Sequence, residues 1–137
     1  MRAVTGLALD RRCLGGLRVL VVDDDEDVRD ALLAILLFFG ADGCAVDCAD
    51  DARELLAGGD FDVLLSDIEM PDEDGYDLMR SVRRARRTSS IAAAAVTGRV
   101  SPEDRCVAIA AGFDRVVAKP LDVTTLVDSV LALVGRA

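Results

Sequence analysis

Histidine is absent from this 137-residue chain, and its four cysteines, Cys13, Cys44, Cys48 and Cys106, include no Cys-x-x-Cys pair. A structural zinc site therefore has almost no ligands to draw on, and the thiols read as reduced and structural. Long apolar runs are missing too: the best, residues 31–41, falls far short of the ~18 residues a membrane span needs. Residues 1–12 lack the apolar stretch and small-residue cleavage site of a secretory signal, so a cytoplasmic protein with no membrane insertion is expected. Positive charge is the minority sign, with 16 Lys and Arg against 25 Asp and Glu and a net charge of -9. That balance lacks the phosphate-neutralising surface of a nucleic-acid binder, and no direct nucleic-acid partner is expected.

What the chain does have is apolar residues, 52% of the total, which excludes disorder and suffices for the core of one domain. After a loose lead or linker over residues 1–16, ending at Gly15-Gly16, apolar runs alternate with helical patterns. Strands are expected near 18–23, 43–48, 62–66, 91–96 and 114–118, and helices near 25–39, 50–58, 74–86, 102–111 and 122–135. Short connections, with Gly40, Gly58-Gly59 and Gly112 as helix terminators, force the strands parallel with crossover helices on both faces. The predicted architecture over residues 17–137 is an α/β doubly wound five-stranded parallel sheet. Function in such sheets gathers at the carboxyl ends of the strands.

The first strand ends in five consecutive acids, Asp23 to Asp27. Asp25, Glu26 and Asp27 fit an acidic first turn of the following helix, where the macrodipole favours them. Asp23 and Asp24 belong to the strand end, and their crowded like charges call for a divalent cation. The third strand delivers Asp67, the fourth Thr97 and the fifth Lys119. Each has an ordinary explanation alone: a helix cap, a β-former, a solvated lysine. Together, at successive strand ends, they fit phosphoryl transfer to a carboxylate. A metal and the lysine neutralise phosphoryl oxygens, the hydroxyl donates a hydrogen bond, and Asp67 attacks.

Val21-Val22-Asp23-Asp24, Ser66-Asp67-Ile68-Glu69-Met70-Pro71, Asp74-Gly75, Ala95-Val96-Thr97-Gly98 and Lys119-Pro120 resemble the motifs of the receiver domain of two-component response regulators. The resemblance covers about residues 17–135 and implies the (βα)5 flavodoxin-like receiver fold. It implies that Asp67 is the phosphoacceptor and that Asp23 and Asp24 bind Mg²⁺ together with Asp67 and the main-chain carbonyl of Glu69; Asp25 is the weaker alternative to this pair. Thr97 would contact the phosphoryl group and Lys119 would pair with it, and the Lys119-Pro120 bond would be cis. The implied partner is a histidine kinase or histidine phosphotransfer protein. A homodimer through the last two helices and last strand is a further implication. The segment Leu14 to Arg18 resembles the linker before receivers fused behind histidine kinases.

One position departs from the family pattern: Val116 stands three before the lysine, where an aromatic often swings inward on activation. Phosphorylation is therefore expected to be read through smaller shifts of the 97–102 loop, or through the phosphoryl site directly. Gly98 leaves the phosphoryl site open to a donor imidazole, and Glu69 and Arg99 are expected to pair across its mouth. On the first helix, Val28, Ala31, Leu32, Ile35 and Phe39 form a core stripe, while Leu33 and Leu37 fall opposite and suggest docking. Arg80, Arg83, Arg84, Arg86 and Arg87 are expected to be a solvated face. Two other functions are open to the same residues. A Mg²⁺-dependent phosphohydrolase would use the same acids, but Glu69 stands where its second aspartate is usual. A flavin module would need a phosphate loop after the first strand, where acids stand instead.

Overall fold

The computed structural model describes residues 9–136. Five strands, β1 (Arg18–Val22), β2 (Asp42–Val46), β3 (Val63–Ser66), β4 (Ala92–Thr97) and β5 (Arg115–Ala118), form one sheet. Its order is β2-β1-β3-β4-β5 and every pairing is parallel. Four helices connect the strands, α1 (Glu26–Phe38), α2 (Ala49–Gly58), α3 (Gly75–Arg84) and α4 (Pro102–Ala111), and a fifth, α5 (Val123–Leu133), follows the last strand. The expected doubly wound sheet is therefore present, and its elements depart from the expected bounds by at most two residues.

Alternation along the buried strands splits the interior into two cores. Val19 and Val21 of β1 face α1 and α5, with Leu32, Leu36, Leu126 and Val130. Leu20 and Val22 face the other way, among Leu56, Leu78, Met79, Val82 and Ala108 of α2, α3 and α4. Each fully buried leucine among these contributes roughly 2–3 kcal/mol.

Caps set the helix bounds. The Asp25 carboxylate accepts from the Asp27 and Val28 N–H groups and so starts α1. Ser101 and Asp104 form the reciprocal capping box of α4, and Asp122 caps α5. Gly112 ends α4 at φ 122, a conformation that glycine alone adopts without strain. The third helix stops at Arg84, short of the expected 86. There the chain turns through a 3₁₀ segment, Arg86–Thr88, pinned by the Thr88 hydroxyl donating to Val82 O at 2.7 Å.

Three expectations are corrected. Residues 1–8 lie outside the described residues, but the rest of the lead is not loose. Leu14 is fully buried, its N–H donates to Phe39 O at 3.0 Å, and Arg136 Nη1 reaches Gly15 O at 2.8 Å. On α1, Leu32 and Phe39 are buried and Val28 and Ile35 pack partly buried against the core as expected, and Leu36 joins them. Ala31 is exposed, and Leu33 is half-buried against Gly43 of β2. Leu33 is covered because β2 lies at the sheet edge beside α1 and its Gly43, with no side chain, leaves room for the leucine. Arg83 is no solvated cation either. It donates to Gly112 O at 2.9 Å and Ile91 O at 2.6 Å and pairs with Asp114 at 3.1 Å, joining α3 to the turns around β4 and α4.

Candidate functional site at the carboxyl edge of the sheet

The register of the sheet assembles the site. Val22 of β1 lies beside Ser66 of β3, so the next residues, Asp23 and Asp67, emerge side by side. Thr97 of β4 lies beside Ala118 of β5, so Lys119 emerges just beyond Thr97. Main-chain bonds extend this order past the strands: Asp67 N–H to Val22 O at 2.8 Å and Lys119 N–H to Thr97 O at 2.9 Å. Gly75 completes the seat. A Cβ there would lie 2.1 Å from Asp67 O, so only glycine lets α3 start this close to the strand end.

Asp23, Asp24 and Asp67 each offer a carboxylate oxygen, and these oxygens lie within 4.8 Å of one another. Asp23 and Asp67 are buried while Asp24 is exposed. Lys119 Nζ stands 2.8 Å from Asp23 Oδ2 and 3.4 Å from Asp67 Oδ2. The remaining oxygens are also engaged: Asp23 Oδ1 accepts from Asp25 N–H at 2.9 Å, and Asp67 Oδ1 from Ile68 N–H at 2.7 Å. Burial and then the Asp23 charge push the Asp67 carboxyl above the ordinary aspartate range, against the pull of Lys119. Burial alone would lower the Lys119 ammonium, but its hydrogen bond to Asp23 and the two carboxylate charges raise it.

This donor set fits a hard divalent cation. Three carboxylates crowd one ammonium, and the exposed side at Asp24 leaves room for the waters that Mg²⁺ keeps. Asp25 is occupied as the cap of α1, which separates it from the pair beside it. A second cluster of possible ligands, Asp47, Cys48 and Asp51, lies at the start of α2 and is mostly exposed. The cysteines are free, and Cys106 is exposed on α4 rather than structural.

Around the cluster, Thr97 is buried and its Oγ1 accepts from Arg99 N–H at 3.0 Å, so its hydroxyl proton stays available. A Cβ on Gly98 would meet nothing within 4 Å, which describes open space next to Thr97. Glu69 and Arg99 do approach, at 3.7 Å, but both are exposed and Arg99 is shared with Asp104 at 3.6 Å. Val116 is half-buried against the α2, α3 and α4 core. The Lys119-Pro120 peptide is cis.

Sequence reasoning missed two arginines near this edge. Arg29 of α1 donates from Nη1 to Asp23 O at 2.9 Å, and Arg53 of α2 donates to Glu73 in the loop after β3. The first could have been found, since Arg29 lies one turn past the cap and faces back toward the strand end. The second joins segments 20 residues apart with no shared pattern.

The profile of the response regulator receiver domain matches residues 19–131. The chain is 36% identical over 114 residues to an uncharacterised 14.6 kDa protein of Leptolyngbya boryana, covering 83% of this chain and 87% of that protein. It is 36% identical over 127 residues to the transcriptional regulatory protein AruR of Pseudomonas aeruginosa, covering 87% of this chain and 50% of AruR. The chain thus spans about half the length of that regulator. Among solved structures, the chemotaxis response regulator CheY4 of Vibrio cholerae superposes with a TM-score of 0.82 at 25% identity, covering 85% of this chain and 98% of CheY4.

Proposed function

The chain belongs to the response regulator receiver family of two-component systems, and on that premise we propose that Asp67 is its phosphoacceptor. The observation that carries the reading is the cluster of Asp23, Asp24 and Asp67 around Lys119 at the open edge of the sheet. An Asp67 oxygen attacks the phosphorus of a partner's phosphohistidine. The P–N bond breaks, its electron pair returns to the imidazole nitrogen, and that nitrogen takes up a proton. Lys119 Nζ then pairs with the acquired phosphoryl oxygens and the Thr97 hydroxyl donates to one of them. Asp23, Asp24, Asp67 and the main-chain carbonyl of Glu69 would hold Mg²⁺, which supplies neutralisation of the phosphoryl charge.

The partner in this reading is a histidine kinase or histidine phosphotransfer protein in the cytoplasm. The chain promotes only its own phosphorylation and dephosphorylation. The receiver unit starts at residue 17, with the preceding turn docked on it. With Val116 in place of an aromatic, the state of Asp67 is read through Thr97 and the 97–102 loop. A homodimer would cover the exposed Val107 and Ile109 of α4. A phosphohydrolase is not favoured, because Glu69, where a second acid would act, pairs outward with Arg99.

Borohydride reduction tests the assignment. After incubation with acetyl phosphate and Mg²⁺, an acyl phosphate at Asp67 is reduced to homoserine, which peptide mass mapping locates. Homoserine at another acid, or at none, would overturn it.

A further inference from the structure

The loop between β3 and α3, residues 67–74, begins with Asp67 and carries Glu69. Its two ends are fixed. Asp67 N–H donates to Val22 O at 2.8 Å, Gly75 N–H donates to Ile68 O at 2.7 Å, and the Asp74 carboxylate caps α3. Its middle is held by Met70, which packs partly buried against the core, and by a loose Glu69–Arg99 pair at 3.7 Å, but by few hydrogen bonds. Residues 69–73 make one internal main-chain bond, Glu73 N–H to Pro71 O at 2.7 Å, and Asp72 sits at φ 69. Among the described residues, the only hydrogen bonds from this stretch to another element are those that Arg53 donates to Glu73.

That contact is a fork. Arg53 Nη1 meets Glu73 Oε1 at 2.8 Å, Nη2 meets Oε2, and Nε donates to Ser81 Oγ at 2.8 Å. The Ser81 hydroxyl passes the chain on to Leu78 O at 2.7 Å. One half-buried guanidinium on α2 therefore fastens the loop and α3 at once. The Arg53 hydrogen bond in turn holds the Glu73 carboxyl below the ordinary glutamate range. Only arginine offers this planar set of donors; a lysine would make one point contact.

We propose that Arg53 is a positioning residue for the chemistry at Asp67: by gripping Glu73 it pre-orders the loop that carries the Glu69 carbonyl toward the cation. The inference rests on the reading of Asp67 and Glu69 above. A loop already ordered does not lose its conformational freedom when the ion binds, so the benefit falls on metal affinity. Neither Arg53 nor Glu73 touches the ion or the phosphoryl group in this account.

Mg²⁺ titration followed by amide shifts of Asp24 and Ile68, on the native chain, Arg53→Met and Glu73→Gln, tests the proposal. Glu73→Gln keeps one acceptor and serves if Arg53→Met fails to fold. Both variants are expected to bind Mg²⁺ about three- to tenfold more weakly, with Arg53→Lys in between. Folded variants with native Mg²⁺ affinity would overturn the clamp, and a lower melting temperature alone would mark it as purely structural. A native chain that fails to bind Mg²⁺ would instead remove the reading of the site on which the clamp depends.

Discussion

Lys119 and Asp23, 96 positions apart in the chain, are joined by a 2.8 Å hydrogen bond between Nζ and Oδ2. The same ammonium lies 3.4 Å from Asp67. The chain thus brings its own cation to the carboxylates proposed to hold Mg²⁺, and the two cations compete for charge at the same oxygens. Lys119→Met is expected to tighten Mg²⁺ binding roughly threefold or more while slowing phosphorylation of Asp67 by about tenfold or more, because the ammonium is needed for the phosphoryl oxygens. Mg²⁺ titration and acetyl phosphate kinetics on the same variant check both directions. Weaker Mg²⁺ binding would show that Lys119 orders the acids rather than competing at them.

Neighbouring acids should behave differently. Asp25 is the cap of α1, so Asp25→Ala is expected to cost about 1 kcal/mol of stability and leave phosphorylation near native. Asp24 makes no cap and is exposed beside Asp23 and Asp67. Asp24→Ala is expected to leave stability within about 0.5 kcal/mol and to cut phosphorylation by about tenfold or more. Denaturant melts and initial phosphorylation rates separate the two, and swapped phenotypes would reassign the metal pair.

Arg99 stands over the site but holds Glu69 only loosely, at 3.7 Å and with both side chains exposed. Arg99→Ala is expected to change stability by no more than about 0.5 kcal/mol. The aspartyl phosphate is expected to turn over about two- to fivefold faster, as the mouth opens to water. An unchanged lifetime would remove Arg99 from any part in protecting the phosphoryl group.

Leu37 is 57% exposed on α1 and adjoins Phe38, which is 52% exposed with Arg11 stacked on its ring at 4.4 Å. Leu37→Glu is expected to leave the melting temperature and acetyl phosphate kinetics unchanged while slowing transfer from a phosphohistidine protein. Equal transfer rates would show that this face takes no part in docking. Leu33 is unsuited to the same test, since its side chain packs against Gly43.

The alternation of strands and helices, the parallel sheet and the five residues at its carboxyl edge were legible because each depends on a short local signal: an apolar run, a cap or a glycine, and a polar residue directly after the strand. Asp67 and Lys119 could be placed without knowing any contact, since parallel register carries strand ends to the same edge. Side-chain reach was not legible. Arg83 looked like one more cation in a basic run, yet three main-chain carbonyls and Asp114 absorb it. Leu14 looked like linker, yet it fills the space beneath α1 and α5, because burial there depends on how the two helices splay and not on the pattern around residue 14. Arg53 and Glu73 meet only through the packing of α2 against the loop after β3.

Intact mass after incubation with Mg²⁺ and acetyl phosphate, on the native chain and on Asp67→Asn, tests the central claim most directly. The account predicts a labile gain of about 80 Da, one phosphoryl group, that is lost in Asp67→Asn and lost without Mg²⁺. An equal gain in Asp67→Asn, or no gain in the native chain from acetyl phosphate or from a phosphohistidine donor, would contradict it.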